Sequence, residues 1–212
     1  MRIAAVVPFK RFTRAKRRLR SRYAASEVEA LGRAMLLDVV TALCGAKSLE
    51  RVVVLTDDLE VAATAREAGA AVRLRTPDAG LNPTIEAASA ELADEGFEAV
   101  LAVLGDLPLL RPDDVDAVAE VGRRESVVIV PSSDGGTAML LRRPPDRIPA
   151  RFGKQSAAAH AREAHALGIE PGSVPAVADA ARIDLDTPED AESLLAADVP
   201  CRTRDLLRKL AR

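Results

Sequence analysis

The chain has 212 residues, of which 48% are apolar and 29% charged, with a net charge of −2. This is the balance of a globular chain long enough for one domain with a full core, and near-neutral charge offers no global attraction to nucleic acid or anionic lipid. Aromatic residues make up 2% and Trp is absent. That excludes the ring platforms of a single-strand binder and leaves Ala, Val and Leu to build the core.

Ile3–Val7 reads as a buried strand ended by Pro8, too short for a signal peptide or a membrane span. From Phe9 to Tyr23 the chain is dense in Lys10, Arg11, Arg14, Lys16, Arg17, Arg18, Arg20 and Arg22, and the first acid is Glu27. Such a stretch is either a solvated basic loop or a phosphate-binding loop after the first strand, where phosphates sit in α/β sheets. It holds no glycine, so side chains rather than backbone amides would carry the phosphates. Ser26 is placed to cap a helix running to about Gly45, with Glu29 at the capping-box position.

Arg51–Leu55 is a second strand, followed by Thr56-Asp57-Asp58 and a helix ending near Gly69. Ala71–Leu74 is a third strand. A loop from Thr76 to Asn82 leads into a helix from about Pro83 to Glu95. The apolar run Ala99–Leu104 reads as a strand covered on both faces; it breaks at Gly105, presents Asp106 and turns away at Pro108. Pro112-Asp113-Asp114 opens the next helix. Ser126–Val130 and Thr137–Leu141, joined through the turn Ser132-Ser133-Asp134-Gly135-Gly136, read as a β-hairpin.

Arg151–Ser156 leads into a helix from about Ala157 to Leu167, Val174–Val177 and Arg182–Leu185 read as late short strands, and Thr187-Pro188 starts a capped helix. Arg202–Arg212 is a short basic helix. The alternation predicts one α/β domain over 1–212. In it a mostly parallel sheet is wrapped on both faces, with a smaller antiparallel part made of the hairpin and late strands. Cys44 and Cys201 have neither metal-type spacing nor a disulfide framework, which fits reduced thiols in the cytoplasm. His160 and His165 lie five apart, on different sides of a helix, and read as surface residues rather than metal ligands.

Chemistry concentrates in the acids. In Ile183-Asp184-Leu185-Asp186 the alternation points both carboxylates one way and the apolar pair into the core. Two carboxylates about 5 Å apart at an effective dielectric near 20 repel by roughly 3 kcal/mol, a cost that a cation reverses. With Asp106, just past the end of a buried parallel strand, they make three hard oxygen ligands suited to Mg²⁺, or to Mn²⁺ in its place. Taken one at a time, Asp106 also suits a turn, Asp184 a solvated edge and Asp186 a helix cap; Asp190 is accounted for by its first-turn position.

The chain resembles the guanylyltransferases of coenzyme F-420 biosynthesis. The resemblance rests on Val7-Pro8-Phe9-Lys10 with Ala15–Leu19, Gly80-Leu81-Asn82, Gly105–Leu110, Gly135-Gly136-Thr137, Phe152–Ser156 and Asp184–Asp190. It spans nearly the whole chain and is weakest in the last dozen residues. The Gly-Gly opening loop of molybdenum-cofactor guanylyltransferases and sugar nucleotidyltransferases is absent. It implies a three-layer α/β/α, Rossmann-like nucleotidyltransferase fold of the glycosyltransferase-A type, in which GTP and a phosphorylated three-carbon acid meet over magnesium. Asp106, Asp184 and Asp186 would hold the metal, and Thr137, Gly153 and Ser156 the acceptor's phosphate and carboxylate. Lys10, Lys16 and Arg18 would hold the triphosphate, Lys16 and Arg18 sharing the catalytic work with Asp106, while Gly80, Leu81 and Asn82 lie near guanine or ribose.

The product would be a GDP-activated acid, with phosphoenolpyruvate, 2-phospho-L-lactate and 3-phosphoglycerate as candidate acceptors. Hand-off of the product to a following enzyme and a homo-oligomer are both compatible with it; nucleic acid and membrane are not partners. The alternatives are another magnesium-dependent nucleotidyltransferase, a sugar-nucleotide glycosyltransferase using Asp184 and Asp186, or a non-catalytic nucleotide-binding module.

Overall fold

A computed structural model describes residues 1–12, 16–76 and 79–211. Arg14 and Ala15 of the basic stretch, Pro77 and Asp78 of the next loop, and the terminal Arg212 lie outside the described residues. Six strands form one sheet: β1 (Ile3–Pro8), β2 (Arg51–Thr56), β3 (Ala71–Leu74), β4 (Ala99–Val103), β5 (Val127–Pro131) and β6 (Thr137–Arg142). Their order is β3-β2-β1-β4-β6-β5. β1 to β4 run parallel, while β6 is antiparallel to both neighbours, β4 and β5.

Strand period puts Ile3, Ala5 and Val7 of β1 on one face and Ala4 and Val6 on the other. The first face is covered by α1 (Ala25–Gly45), α2 (Leu59–Glu67) and α4 (Pro112–Gly122), through Leu36, Leu43, Val61 and Val115. The second is covered by α3 (Leu81–Asp94) and α5 (Ser156–Ala166), through Ile85, Leu92 and Ala164. This is the predicted three-layer α/β architecture. A separate apolar cluster, including Leu19, Leu31, Leu109, Leu185, Leu194 and Leu207, seats α6 (Pro188–Ala196) and α7 (Arg202–Leu210) against α1. No described helix is long and apolar enough to cross a membrane.

Three expectations are corrected. The late strands do not form: Val174–Val177 makes a turn and Asp179–Arg182 a 3-10 helix, and the nearest bridge is the isolated Val128–Gly172 pair. Pro175 lacks the N–H a ladder needs, and β1 and β6 already occupy both sides of β4, so Arg182–Leu185 cannot add a strand beside it. The antiparallel part is therefore the hairpin alone, taken into the main sheet. Helix α1 starts at Ala25, one residue before the predicted cap; Glu27, rather than Glu29, accepts the Ala24 N–H at 2.7 Å. His160 is fully buried, for reasons given below.

Candidate active site

The carboxyl end of β4 carries the first acid. β4 is buried along its whole length, and the chain leaves the sheet through Leu104-Gly105-Asp106. Glycine is needed at 105 because a Cβ there would lie 2.4 Å from Phe9 Cδ2. The other two acids sit on an extended segment held at three points. Leu185 is buried between them, its N–H donates to the Asp106 carbonyl at 3.1 Å, and Asp190 accepts the N–H groups of Asp186 (3.0 Å) and Thr187 (2.7 Å). The predicted same-side placement of Asp184 and Asp186 thus survives without a strand.

One oxygen from each of Asp106, Asp184 and Asp186 falls within 4.8 Å of the others. The Lys16 ammonium bridges two of them, 2.5 Å from Asp106 Oδ2 and 2.5 Å from Asp186 Oδ1. Lys16 adopts left-handed backbone (φ 55°) at the start of the 3-10 helix Arg17–Ser21, which turns its side chain inward. Burial alone would depress this ammonium; the Asp106 and Asp186 charges outweigh it and hold it above the usual lysine range. Asp184 is pushed up to about 6, by burial first and the Asp106 charge second. Asp106 Oδ1 is buried with no hydrogen-bond partner among the described residues.

Three convergent hard oxygens, one carboxyl held reluctant to ionise and one orphaned acceptor are a set that a divalent cation completes. Among the described residues no His or Cys joins the cluster, which favours Mg²⁺ or Mn²⁺ over zinc.

From Asp106 and Asp186 a cavity of about 1060 Å³ runs across the carboxyl ends of β1 and β2, with Asp184 outside its lining. Lys10, Lys16, Gly80 and Leu81 line it, together with Arg11, Arg20, Asp57 and Arg75. Arg18 is exposed outside the lining, and its carbonyl accepts the Ser21 hydroxyl at 2.9 Å. Asn82 also stands outside it. Its amide braces another loop, donating to the Phe152 carbonyl at 3.2 Å and accepting the Phe152 N–H at 2.8 Å. Of the cavity residues the site prediction omitted, Arg11 and Arg20 belonged to the recognised basic stretch. Asp57 follows the rule that marked Asp106, an acid just beyond a parallel strand.

Thr137, Gly153 and Ser156 form a second group, outside the lining of that cavity. Val103 pairs with Met139 and the Leu104 N–H reaches the Ala138 carbonyl at 3.3 Å, so the register sets Thr137 beside Gly105. The hairpin turn is fixed by Asp134, which accepts from Ser132 Oγ (2.6 Å) and the Gly136 N–H (2.8 Å). These hydrogen bonds, the Ser132 hydroxyl first, hold the Asp134 carboxyl below its usual range, and its charge adds to the upward push on Asp184. Gly153 (φ 144°) has open space where a Cβ would stand, and its carbonyl accepts the Ser156 N–H at 3.2 Å as α5 begins. Ser156 Oγ donates to Thr137 Oγ1 at 2.9 Å, and Thr137 Oγ1 lies 3.0 Å from His160 Nδ1.

His160 is buried because its partners are polar and close. The Arg151 N–H donates to Nε2 at 2.8 Å, and the Phe152 ring packs edge-on at 5.0 Å. Burial first, then Arg142, pushes its pKa down to about 4, so the imidazole is neutral. The loop carrying Phe152 and Gly153 is anchored from below. Buried Arg142 donates to Glu86 (3.0 Å), to Ser89 Oγ (2.7 Å) and to the Ile148 carbonyl (2.9 Å), while Glu86 accepts the Ala150 N–H.

A parallel-rooted sheet with acids at its carboxyl end, a basic cavity beside them and an antiparallel hairpin closing the row defines a nucleotidyltransferase-type α/β protein. The same fold occurs in the crystal structure of a proposed nucleotide-diphospho-sugar transferase from Desulfovibrio desulfuricans G20. That structure superposes with a TM-score of 0.79 at 17% identity, over 99% of this chain and 95% of that one. The chain belongs to the CofC-like guanylyl transferase family, whose model matches residues 3–212. It is 40% identical over 199 residues to the phosphoenolpyruvate guanylyltransferase of Conexibacter woesei, covering 90% of this chain and 86% of that one. It is 38% identical over 200 residues to the 3-phospho-D-glycerate guanylyltransferase of Phenylobacterium zucineum, covering 92% and 91%.

Proposed function

We propose that this protein transfers GMP from GTP to a phosphorylated three-carbon acid, phosphoenolpyruvate before 2-phospho-L-lactate or 3-phosphoglycerate, and releases pyrophosphate. The GDP-activated acid so formed serves coenzyme F-420 biosynthesis, in a cytoplasm that keeps Cys44 and Cys201 reduced. The observation that carries this reading is the three-carboxylate cluster with its orphaned Asp106 oxygen, set at the end of a cavity lined by Lys10, Arg11, Lys16 and Arg20.

In this mechanism an anionic phosphate oxygen of the acceptor attacks the α-phosphorus of GTP, and the bond to the β-phosphate oxygen breaks as pyrophosphate departs. A phosphate monoester is doubly ionised near neutral pH, with a second pKa of about 6, so no general base is needed. Catalysis then rests on placement and charge. Asp106, Asp184 and Asp186 would hold Mg²⁺, which supplies Lewis-acid polarisation of phosphoryl oxygens. Lys16, which pairs with Asp106 and Asp186 here, would turn its ammonium to phosphate oxygens of the bound nucleotide. Lys10, Arg11 and Arg20 neutralise the leaving pyrophosphate. Thr137 and Ser156 offer hydroxyls to the acceptor, next to the first-turn amides of α5.

The test is pyrophosphate release by pure protein with Mg²⁺, GTP and each of the three acceptors separately, alongside an assay coupled to the next pathway enzyme to draw off labile product. Release that depends on one acceptor supports the reading and names the substrate. Silence with all three in the coupled assay, from folded protein, refutes it, and transfer from a sugar nucleotide instead would make the protein a glycosyltransferase.

A further inference from the structure

His160 carries no role in the chemistry above, yet its hydrogen bonds leave it little freedom. The Arg151 backbone N–H can only donate, and it points at Nε2 from 2.8 Å. Nε2 is therefore the bare nitrogen, and the single proton of the neutral ring sits on Nδ1. Its neighbour at 3.0 Å is Thr137 Oγ1, which accepts it. Ser156, one helical turn before His160 on the same face of α5, sends its own proton to the same oxygen at 2.9 Å.

With two incoming hydrogen bonds the Thr137 oxygen is saturated as an acceptor, and its own O–H must point elsewhere. Among the described residues nothing accepts it, although Thr137 is 1% exposed. Reversing the Thr137–Ser156 bond changes only which hydroxyl holds the extra proton. The pair shares one hydrogen bond, His160 fills one acceptor place, and one donor remains. A buried donor without an acceptor is costly, and an anionic oxygen is its best partner.

We propose that His160 is a positioning residue for the acceptor. By donating through Nδ1 to Thr137 it fixes the Thr137–Ser156 hydroxyl pair as a net donor toward a carboxylate or phosphate oxygen of the bound acid. The inference rests on the guanylyltransferase reading. It adds that recognition of the acceptor's charge depends on a residue that never touches it. Phe152 and the Arg151 amide, both from the loop braced by Asn82 and Glu86, keep the ring in register.

The test is a double-mutant cycle of His160→Leu and Thr137→Val, read as KM for phosphoenolpyruvate and for GTP by acceptor-dependent pyrophosphate release, with melting temperatures in parallel. His160→Leu raises the acceptor KM roughly 10- to 100-fold, the worth of a hydrogen bond to a charged group, and leaves the GTP KM within about twofold. In the Thr137→Val background the same substitution adds nothing to the acceptor KM, because the hydroxyl it acts through is gone. His160→Asn or His160→Gln, each able to donate to Thr137, recovers part of the loss. Equal losses for both substrates, or a loss from His160→Leu that persists undiminished beside Thr137→Val, would show a merely structural histidine and overturn the proposal. Wild-type silence with every acceptor would instead bring down the underlying function, so the two failures are told apart by the wild-type control.

Discussion

Gly105→Ala tests whether the turn that presents Asp106 depends on close approach to β1. The added Cβ would sit 2.4 Å from Phe9 Cδ2, 3.1 Å from Cε2 and 3.4 Å from Val7 Cγ1. Carbon atoms pack best at about 3.5–4.0 Å, so the ring must retreat by about 1 Å. It has little room to do so, since Phe9 is buried and meets Phe12 edge-on at 5.6 Å, and Phe12 in turn abuts Gly32 on α1. Overpacking of this kind costs about 1–3 kcal/mol. For a chain of this length that lowers the melting temperature by roughly 2–12 °C.

Asp106 is the next residue, so a 1 Å shift there should lower kcat/KM by about 100-fold. Thermal melting and steady-state pyrophosphate release measure the two effects. Phe9→Leu, which removes the obstructing ring edge, should restore much of both losses when combined with Gly105→Ala. Unchanged melting and activity in Gly105→Ala, or a double variant no better than the sum of the singles, would refute the steric account.

Removal of divalent cations with EDTA should abolish turnover, and Mg²⁺ or Mn²⁺ should restore it. Asp106→Asn should stay inactive at any Mg²⁺ concentration while melting no more than a few degrees from wild type. Asn82→Ala should raise the acceptor KM by about 3- to 10-fold through loss of its two bonds to Phe152, and leave the GTP KM unchanged; the opposite pattern would return Asn82 to the nucleotide. His160 also makes stability pH-dependent. Its folded pKa of about 4 lies below the unfolded value near 6.5, so the neutral ring's contribution is complete above pH 6.5 and is lost as pH falls toward 4. At about 1.4 kcal/mol per unit the full effect is roughly 3 to 4 kcal/mol. Urea unfolding of wild type and His160→Gln between pH 7 and 4 should show the slope in wild type and a flatter line in the variant.

The sheet was legible because β1 to β4 are short apolar runs separated by helix-length segments, a pattern with few other solutions. Asp106 was legible for a local reason, since strand, glycine, acid and proline follow one another. Asp184 and Asp186 follow an alternation that holds although no strand forms, because burial of Leu185 and the bonds of the segment to Asp106 and Asp190 fix which way its neighbours point. What the sequence hid depends on partners far away in the chain. His160 looks like a surface residue until Thr137 and the Arg151 amide supply its bonds. Arg142 gives no sign that Glu86 and Ser89 wait for it beneath the sheet. Within the basic stretch no period separates Arg18 from Arg20; the 3-10 turn, with three residues per turn, sends Leu19 inward and leaves Arg18 outside.

The reversed direction of β6 brings two groups of residues on different elements to one end of the sheet. The three acids stand at the end of β4 and on the segment before α6, while the hydroxyls proposed to meet the acceptor, those of Thr137 and Ser156, stand at the start of β6 and of α5. The two groups touch through a backbone register and the Asp134 turn, not through shared side chains. On the proposed reading, substitutions in the hairpin and α5 would retune which small acid is admitted and leave the phosphoryl-handling end intact. Relatives at 40% and 38% identity to this chain carry the names of different acceptors, phosphoenolpyruvate in one and 3-phospho-D-glycerate in the other. If chemistry and selection do occupy different strands, as proposed, such a fold would drift between these substrates a residue at a time.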